Sequence, residues 1–182
     1  MTTEQTPCPA CTSSPCSAAS SGSASGSASG GLPPRREERH GIAVRHPPFL
    51  AVPGLGLASN PPALYAAAHA ELRRMMREGF DFDLLDGHYL YPDGVAAIWL
   101  GRAMGRPVVL TARGSDTSQL PRLPVAGRLI RWALREADAL SAVSQGLQDG
   151  LVALGAPPDK VTVLRNGVDT SLFYPRPRAE AR

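Results

Sequence analysis

Four short apolar runs recur along the chain: "DLLD" (83–86), "PVVLTA" (107–112), "ALSAVS" (139–144) and "KVTVLRNG" (160–167). They are too short to be core helices, and they read as strands buried on both faces, as parallel strands are. The segments between them have helical periodicity. "DGVAAIWLGRAM" (93–104) is an apolar helix stopped by Gly105. Over 124–137, Ala126, Ile130, Ala133, Leu134 and Ala137 share an inner face, with Arg128, Arg131 and Arg135 on the outer one. Ser144 is placed to cap a helix carrying Leu147, Leu151 and Leu154, which Gly155 stops. Strand–helix alternation of this kind demands right-handed βαβ units and a parallel sheet. The expected fold class is therefore α/β, a Rossmann-like parallel sheet with helices on both faces.

Upstream the pattern is looser. "HGIAVRHPPFLAVPG" (40–54) reads as one strand or two extended pieces, interrupted by Pro47 and Pro48, which suit an edge. Asn60 is expected to cap a helix with Pro61 at its first position. Leu64, Ala68, Leu72, Met75 and Met76 form its inner face, and Gly79 ends it. Residues 1–36 run through "SSGSASGSASGG" into "LPPRREER", too poor in apolar side chains to offset ordering entropy. The expected organisation is a disordered tail over 1–36, a globular domain over 37–175, and a C-terminal tail or the start of a linker over 176–182.

Composition excludes several classes. Net charge is +3 and Lys160 is the sole lysine, so the positive charge is nearly all arginine. These arginines are scattered, without the interleaved aromatic residues of a single-strand binder, and no nucleic-acid partner is expected. No apolar run reaches the roughly 18 residues of a membrane span. The start, Met-Thr-Thr-Glu-Gln, lacks the basic-then-apolar order of a signal peptide, so a cytoplasmic location is expected. Cys8, Cys11 and Cys16 lie together in "CPACTSSPC". A structural zinc needs four ligands and no histidine is near, so these cysteines imply no metal.

Ligands of open parallel sheets sit beyond the carboxyl ends of the strands. That rule selects "DGHYLYPDG", "ARGSD", Ser144 and "RNGVD". Arg113 has a guanidinium fork suited to phosphate, and Gly114 allows a ligand close to the backbone. Ser115 or Asp116 can cap a short helix, whose free N–H groups favour an anion. His88 and Tyr91 are candidates for sugar hydroxyls and a sugar's apolar face. Asn166 and Gly167 end the last strand. The alternative for each is a plain turn or loop residue. Asp86 and Asp93 are read as ordinary strand-end and helix-start residues.

The stretches "DGHYLYPDGVAAIWLGRAMGRPVVLTARGSD", "ADALSAVSQGLQDGLVALG" and "KVTVLRNGVDTSLFYP" resemble the N-terminal domain of family 4 glycosyltransferases, one half of a GT-B fold. The likeness covers about residues 40–175. It rests on a His-bearing loop before P-D-G, G-x-P-x-V-x-T, [HR]-G-x-D, A-D-x-x-x-x-V-S and N-G-V-D-x-x-x-F. This resemblance implies the acceptor-side domain of a retaining transferase that uses a nucleotide-activated sugar. Its substrates would be that sugar and a glycan or lipid-linked acceptor, with no metal and no cofactor. A cytoplasmic place at the inner face of the membrane, with peripheral association, would suit such acceptors. Substrate or phosphate contacts are expected from His88, Tyr91, Arg113, Gly114, Asp116, Ser144, Asn166 and Gly167, and no residue stands out as catalytic. Where the family begins with a strand and glycine-rich loop, this sequence has its Ser/Gly/Ala stretch. Its seven glutamates include no pair eight apart, so the E-x7-E pair of the family's donor-binding domain is missing. The expectation is a partial domain that needs a separate donor-binding domain and is inactive without it. The competing expectation is a non-catalytic module that binds a glycan or a partner; a sugar-nucleotide epimerase finds no acid/base constellation here.

Overall fold

The computed structural model describes residues 34–180 apart from 51–53 and 55. Most of the expected disordered tail, together with the three cysteines, lies outside the described residues. From Pro34 onward the chain forms one compact unit.

An antiparallel hairpin comes first, with β1 at Arg36–Arg39 and β2 at Ile42–Arg45. Arg39 pairs with Ile42, leaving His40 and Gly41 as a two-residue loop, both with positive φ. That is the tight turn whose twist matches paired strands. Its first strand starts at Arg36, the last residue of the expected disordered tail. Helix α1 follows at Gly56–Arg77 and starts four residues before the expected cap, so Asn60, Pro61 and Pro62 lie within it. Met76 is exposed rather than inward-facing.

The sheet then follows the expected rhythm: β3 (Leu85–His88), α2 (Val95–Met104), β4 (Val108–Ala112), α3 (Ser115–Ser118), α4 (Pro124–Glu136), β5 (Ala139–Ala142), α5 (Gln145–Ala153) and β6 (Val161–Val163). All three strand pairs are parallel and the spatial order is β3-β4-β5-β6. Each right-handed crossover thus steps in the same direction, which puts the connecting helices on the same side. Val108, Leu110, Ala112, Leu140, Ala142 and Val161 join Ile98, Ile130, Leu134 and Leu151 in the core. Helices α1, α2 and α4 also pack against one another. The alternate strand residues, including Asp86, Thr111 and Ser141, face the other way. The fold is the expected α/β class, a Rossmann-like parallel sheet with helices.

Close approaches fix the helix–sheet spacing. A Cβ on Gly101 of α2 would lie 2.2 Å from Val108 Cγ2 and 2.8 Å from the Arg106 carbonyl oxygen. Asp138 ties the start of β4 to the chain entering β5: Val108 N–H donates to its Oδ2 (2.8 Å), and its own N–H donates to Val108 O (3.0 Å). Gly101→Ala should therefore destabilise the fold by about 1–3 kcal/mol, as overpacking does. Gly146→Ala, in α5 where an added Cβ meets nothing within 4 Å, should stabilise it by about 0.5–1 kcal/mol. Denaturant melts of the two variants check both signs.

The hairpin is held to α1 by charge. Arg45 donates to Glu71 (2.8 Å) and Glu78 (3.0 Å), and Arg36 reaches Glu78 (3.3 Å). The hydrogen bond from Arg45, with a further one from Arg74, holds the Glu78 carboxyl below its ordinary value of 4.5. Hydrogen bonds from His46 and then Arg39 do the same for Glu37. A carboxyl whose pKa is lowered on folding contributes stability above its unfolded value and loses it as pH falls through the folded one. Acidification below about pH 4.5 should lower the amide-exchange protection factors of β1 and β2 before those of β4 and β5. Equal loss in both sheets would contradict this.

Candidate functional site

The carboxyl ends of β3, β4 and β6 bring four of the candidate residues together: His88, Arg113, Asn166 and Gly167. Arg113 follows β4, and its Nε and Nη2 point at His88 Nδ1, 3.1 and 2.5 Å away. His88 Nε2 lies 3.0 Å from Asp86 Oδ2. Donation from the guanidinium requires an unprotonated Nδ1, so the proton sits on Nε2 and is donated to Asp86. Arg113 Nη1 also donates to Asn166 Oδ1 at 3.4 Å, across the sheet from the loop after β6. The chain Asp86–His88–Arg113–Asn166 thus engages both ring nitrogens and aims the guanidinium.

Beneath it lies a polar floor. Thr111 and Ser141 are buried, their hydroxyls are 2.7 Å apart, and Thr111 Oγ1 donates to Asp86 Oδ1 at 3.5 Å. These side chains line a cavity of about 330 Å³ closed by the loop at Leu164, Asn166 and Gly167. Asp86, Thr111 and Ser141 were not among the residues expected at the site. A hydroxyl inside an otherwise apolar strand was the available signal for the last two. Asp86 gave none, because only its two-residue offset from His88 on one strand face makes it a partner.

The other candidates do different work. Asp116 was expected to touch substrate or phosphate. Instead its carboxylate is fully buried, accepting N–H groups from Leu90 (3.0 Å), Arg113 (3.1 Å) and Gly114 (2.6 Å). Tyr91 was expected near a sugar, but its ring is in the core, 2% exposed, and burial pushes its phenol pKa up. Ser144 lies outside the cavity lining and spends its oxygen accepting from Leu147 N–H at the start of α5. Gly114 supplies backbone freedom: its φ of 147° and ψ of −84° belong to glycine. Tyr89 has φ 80° without that freedom. Its N–H donates to Thr111 O (3.0 Å), its carbonyl accepts from Gly94 N–H (2.9 Å), and its hydroxyl meets that of Ser115. Such strain, held from several sides, is a mark of functional loops.

The same stretch of sequence decides the family. Residues 27–172 match the profile of Glycosyltransferase Family 4. The chain belongs to glycosyltransferase family 4. It is 34% identical over 165 residues to a D-inositol 3-phosphate glycosyltransferase of Actinosynnema mirum, covering 83% of this chain and 38% of that protein. A Bacillus subtilis glycosyltransferase named for teichuronic acid biosynthesis is 33% identical over 141 residues, 77% of this chain and 35% of its own length. An N-acetyl-alpha-D-glucosaminyl L-malate synthase of Bacillus anthracis is 27% identical over 118 residues, 64% of this chain and 30% of its own length. The chain thus spans about a third of the length of the curated relatives it matches. In this family 4 domain the N-G-V-D-x-x-x-F motif divides its labour. Asn166 meets Arg113, whereas Asp169 builds a turn, accepting from Ser171 N–H (2.9 Å) and Oγ–H (2.6 Å). Those bonds hold its carboxyl below the ordinary range. No helix among the described residues is long and apolar enough to cross a membrane.

Because Asp116 satisfies three backbone donors from two loops, Asp116→Ala should cost about 2–5 kcal/mol. Thermal unfolding measures that cost, and loss of the His88 side-chain resonances from their wild-type positions would show that the loops have separated. An Asp116→Ala melt within about 0.5 kcal/mol of wild type would contradict it.

Proposed function

We propose that this chain is the acceptor-side domain of a retaining, nucleotide-sugar-dependent glycosyltransferase that builds a glycan or glycolipid. The observation that carries the reading is Arg113, aimed by His88 and Asn166 over the cavity at the carboxyl ends of the strands. Transfer from a nucleotide sugar leaves a diphosphate whose negative charge grows in the transition state. A preorganised guanidinium stabilises that charge, provided water is excluded and it need not reorganise. His88 and Asp86 are positioning residues in this scheme: they hold Arg113 in one rotamer. The hydroxyls of Thr111 and Ser141 offer donors and acceptors to an acceptor or sugar hydroxyl. Family membership and the names of the relatives, which include a D-inositol 3-phosphate glycosyltransferase and a glycosyltransferase named for teichuronic acid biosynthesis, support the substrate class.

Enzymes lower barriers by about 8–23 kcal/mol, largely by holding both reactants in a closed site. A half-cleft leaves the donor in water, where the attraction of Arg113 is screened. The purified chain alone should therefore transfer no sugar from UDP-, GDP- or ADP-sugars to acceptors. Adding a donor-binding domain, in the same polypeptide or separately, should give transfer that Arg113→Ala lowers by about hundredfold or more. Transfer by the chain alone that is lost in Arg113→Ala would refute the division of labour. No transfer with a folded donor domain across the panel would favour a non-catalytic binding module.

A further inference from the structure

A second cavity, of about 310 Å³, lies between the β1–β2 hairpin and the C-terminal half of α1. It shares no lining residue with the Arg113 cavity. Four guanidinium groups line it, from Arg35, Arg36, Arg74 and Arg77. The nearby carboxylates do not balance them. Glu71 and Glu78 together serve Arg36, Arg45 and Arg74. Among the described residues, the side chains of Arg35 and Arg77 take part in no hydrogen bond or ion pair. Arg74 Nη2 is buried without a hydrogen bond, and its approach to Glu71 Oε1 is 3.5 Å. These five arginines against two glutamates leave three positive charges in excess, as many as the net charge of the entire chain.

We propose that this cavity is an anion site for a phosphomonoester group. Guanidinium forks match tetrahedral oxyanions with paired hydrogen bonds, and a dianion answers a surplus that a single carboxylate would leave uncorrected. The fourth wall is apolar and small, formed by Pro47, Pro48 and Ala70, and it accommodates the carbon part of a small phosphorylated molecule. No Phe, Tyr or Trp lines the cavity, and the ring of His46 is engaged by Glu37. The group can be presented by a soluble phosphomonoester or by a phospholipid headgroup. The site stands independently of the transferase reading, since it uses none of the residues around Arg113.

Titration calorimetry and amide-shift mapping of the full chain with inorganic phosphate, glycerol 3-phosphate and phosphatidic acid vesicles test the proposal. Binding of the two soluble probes, with shifts at the Ala67 and Ala70 amides, assigns a soluble source. Binding to vesicles alone assigns a headgroup. In either case Arg35→Gln/Arg77→Gln, which spares the arginines engaged by Glu71 and Glu78, should weaken binding about tenfold or more, the loss of at least one charged hydrogen bond. Arg113→Ala should leave it unchanged. The single variants Arg35→Gln and Arg77→Gln serve if the double variant does not fold. Absence of binding to all three probes overturns the proposal, as does binding that the glutamine variants leave at wild-type strength or that Arg113→Ala abolishes.

Discussion

The carboxylate of Asp116 has no contact with water, yet it lies between two loops that are 26 residues apart in sequence. It remains there because every direction it faces offers a backbone N–H: Leu90 from the loop after β3, Arg113 and Gly114 from the loop after β4. Hydrogen bonds to an ionised acceptor are the strong ones, and leaving such a group unpaired in the interior is costly. The carboxylate therefore fixes the two loops as a unit. The exposed ring of His88 and the guanidinium of Arg113 meet because their backbones are already joined underneath. Tyr89, strained at φ 80°, sits on the same junction.

On this footing the chemistry of the cleft becomes a matter of orientation. What the fold supplies to the guanidinium of Arg113 is direction, through an imidazole whose remaining nitrogen is occupied by Asp86. Such a histidine is a hydrogen-bond acceptor for the arginine and leaves no free base for proton transfer. That suits a reaction in which a leaving group's charge must be met more than a proton abstracted. The alternation of strands puts Asp86, Thr111 and Ser141 together on one side of the sheet, away from Leu110 and Leu140.

Much of this was legible before any coordinates. The four strands, the helices over 95–104 and 124–136, and the inner face of Ala126, Ile130, Ala133 and Leu134 follow from period and turn residues alone. The convergence of His88, Arg113 and Asn166 follows from strand polarity in a parallel sheet. The start of α1 was not legible, because Asn60-Pro61 is a strong local start signal, yet the helix begins at Gly56. The division between residues that face the cavity and residues that build it was also hidden. Asp116 and Tyr91 have the chemistry of ligands, and only burial shows that one ties loops and the other fills the core. The hairpin's first strand, "REER", has no apolar residue at all; its charged side chains find partners in His46, just after β2, and Glu78, just after α1.

The strand order β3-β4-β5-β6 carries a consequence for how the domain comes into being. Within this sheet as described, β4, β5 and β6 each pair with the strand that precedes them in sequence. A parallel sheet ordinarily folds slowly because distant strands must be brought together against chain entropy. Here the closures are short: α2 lies between β3 and β4, α3 and α4 between β4 and β5, and α5 between β5 and β6. The sheet can therefore be laid down in the order in which the polypeptide leaves the ribosome, each helix settling on the strands already present. The cavity around Arg113 is then the last thing to be completed, when the segment carrying Asn166 arrives.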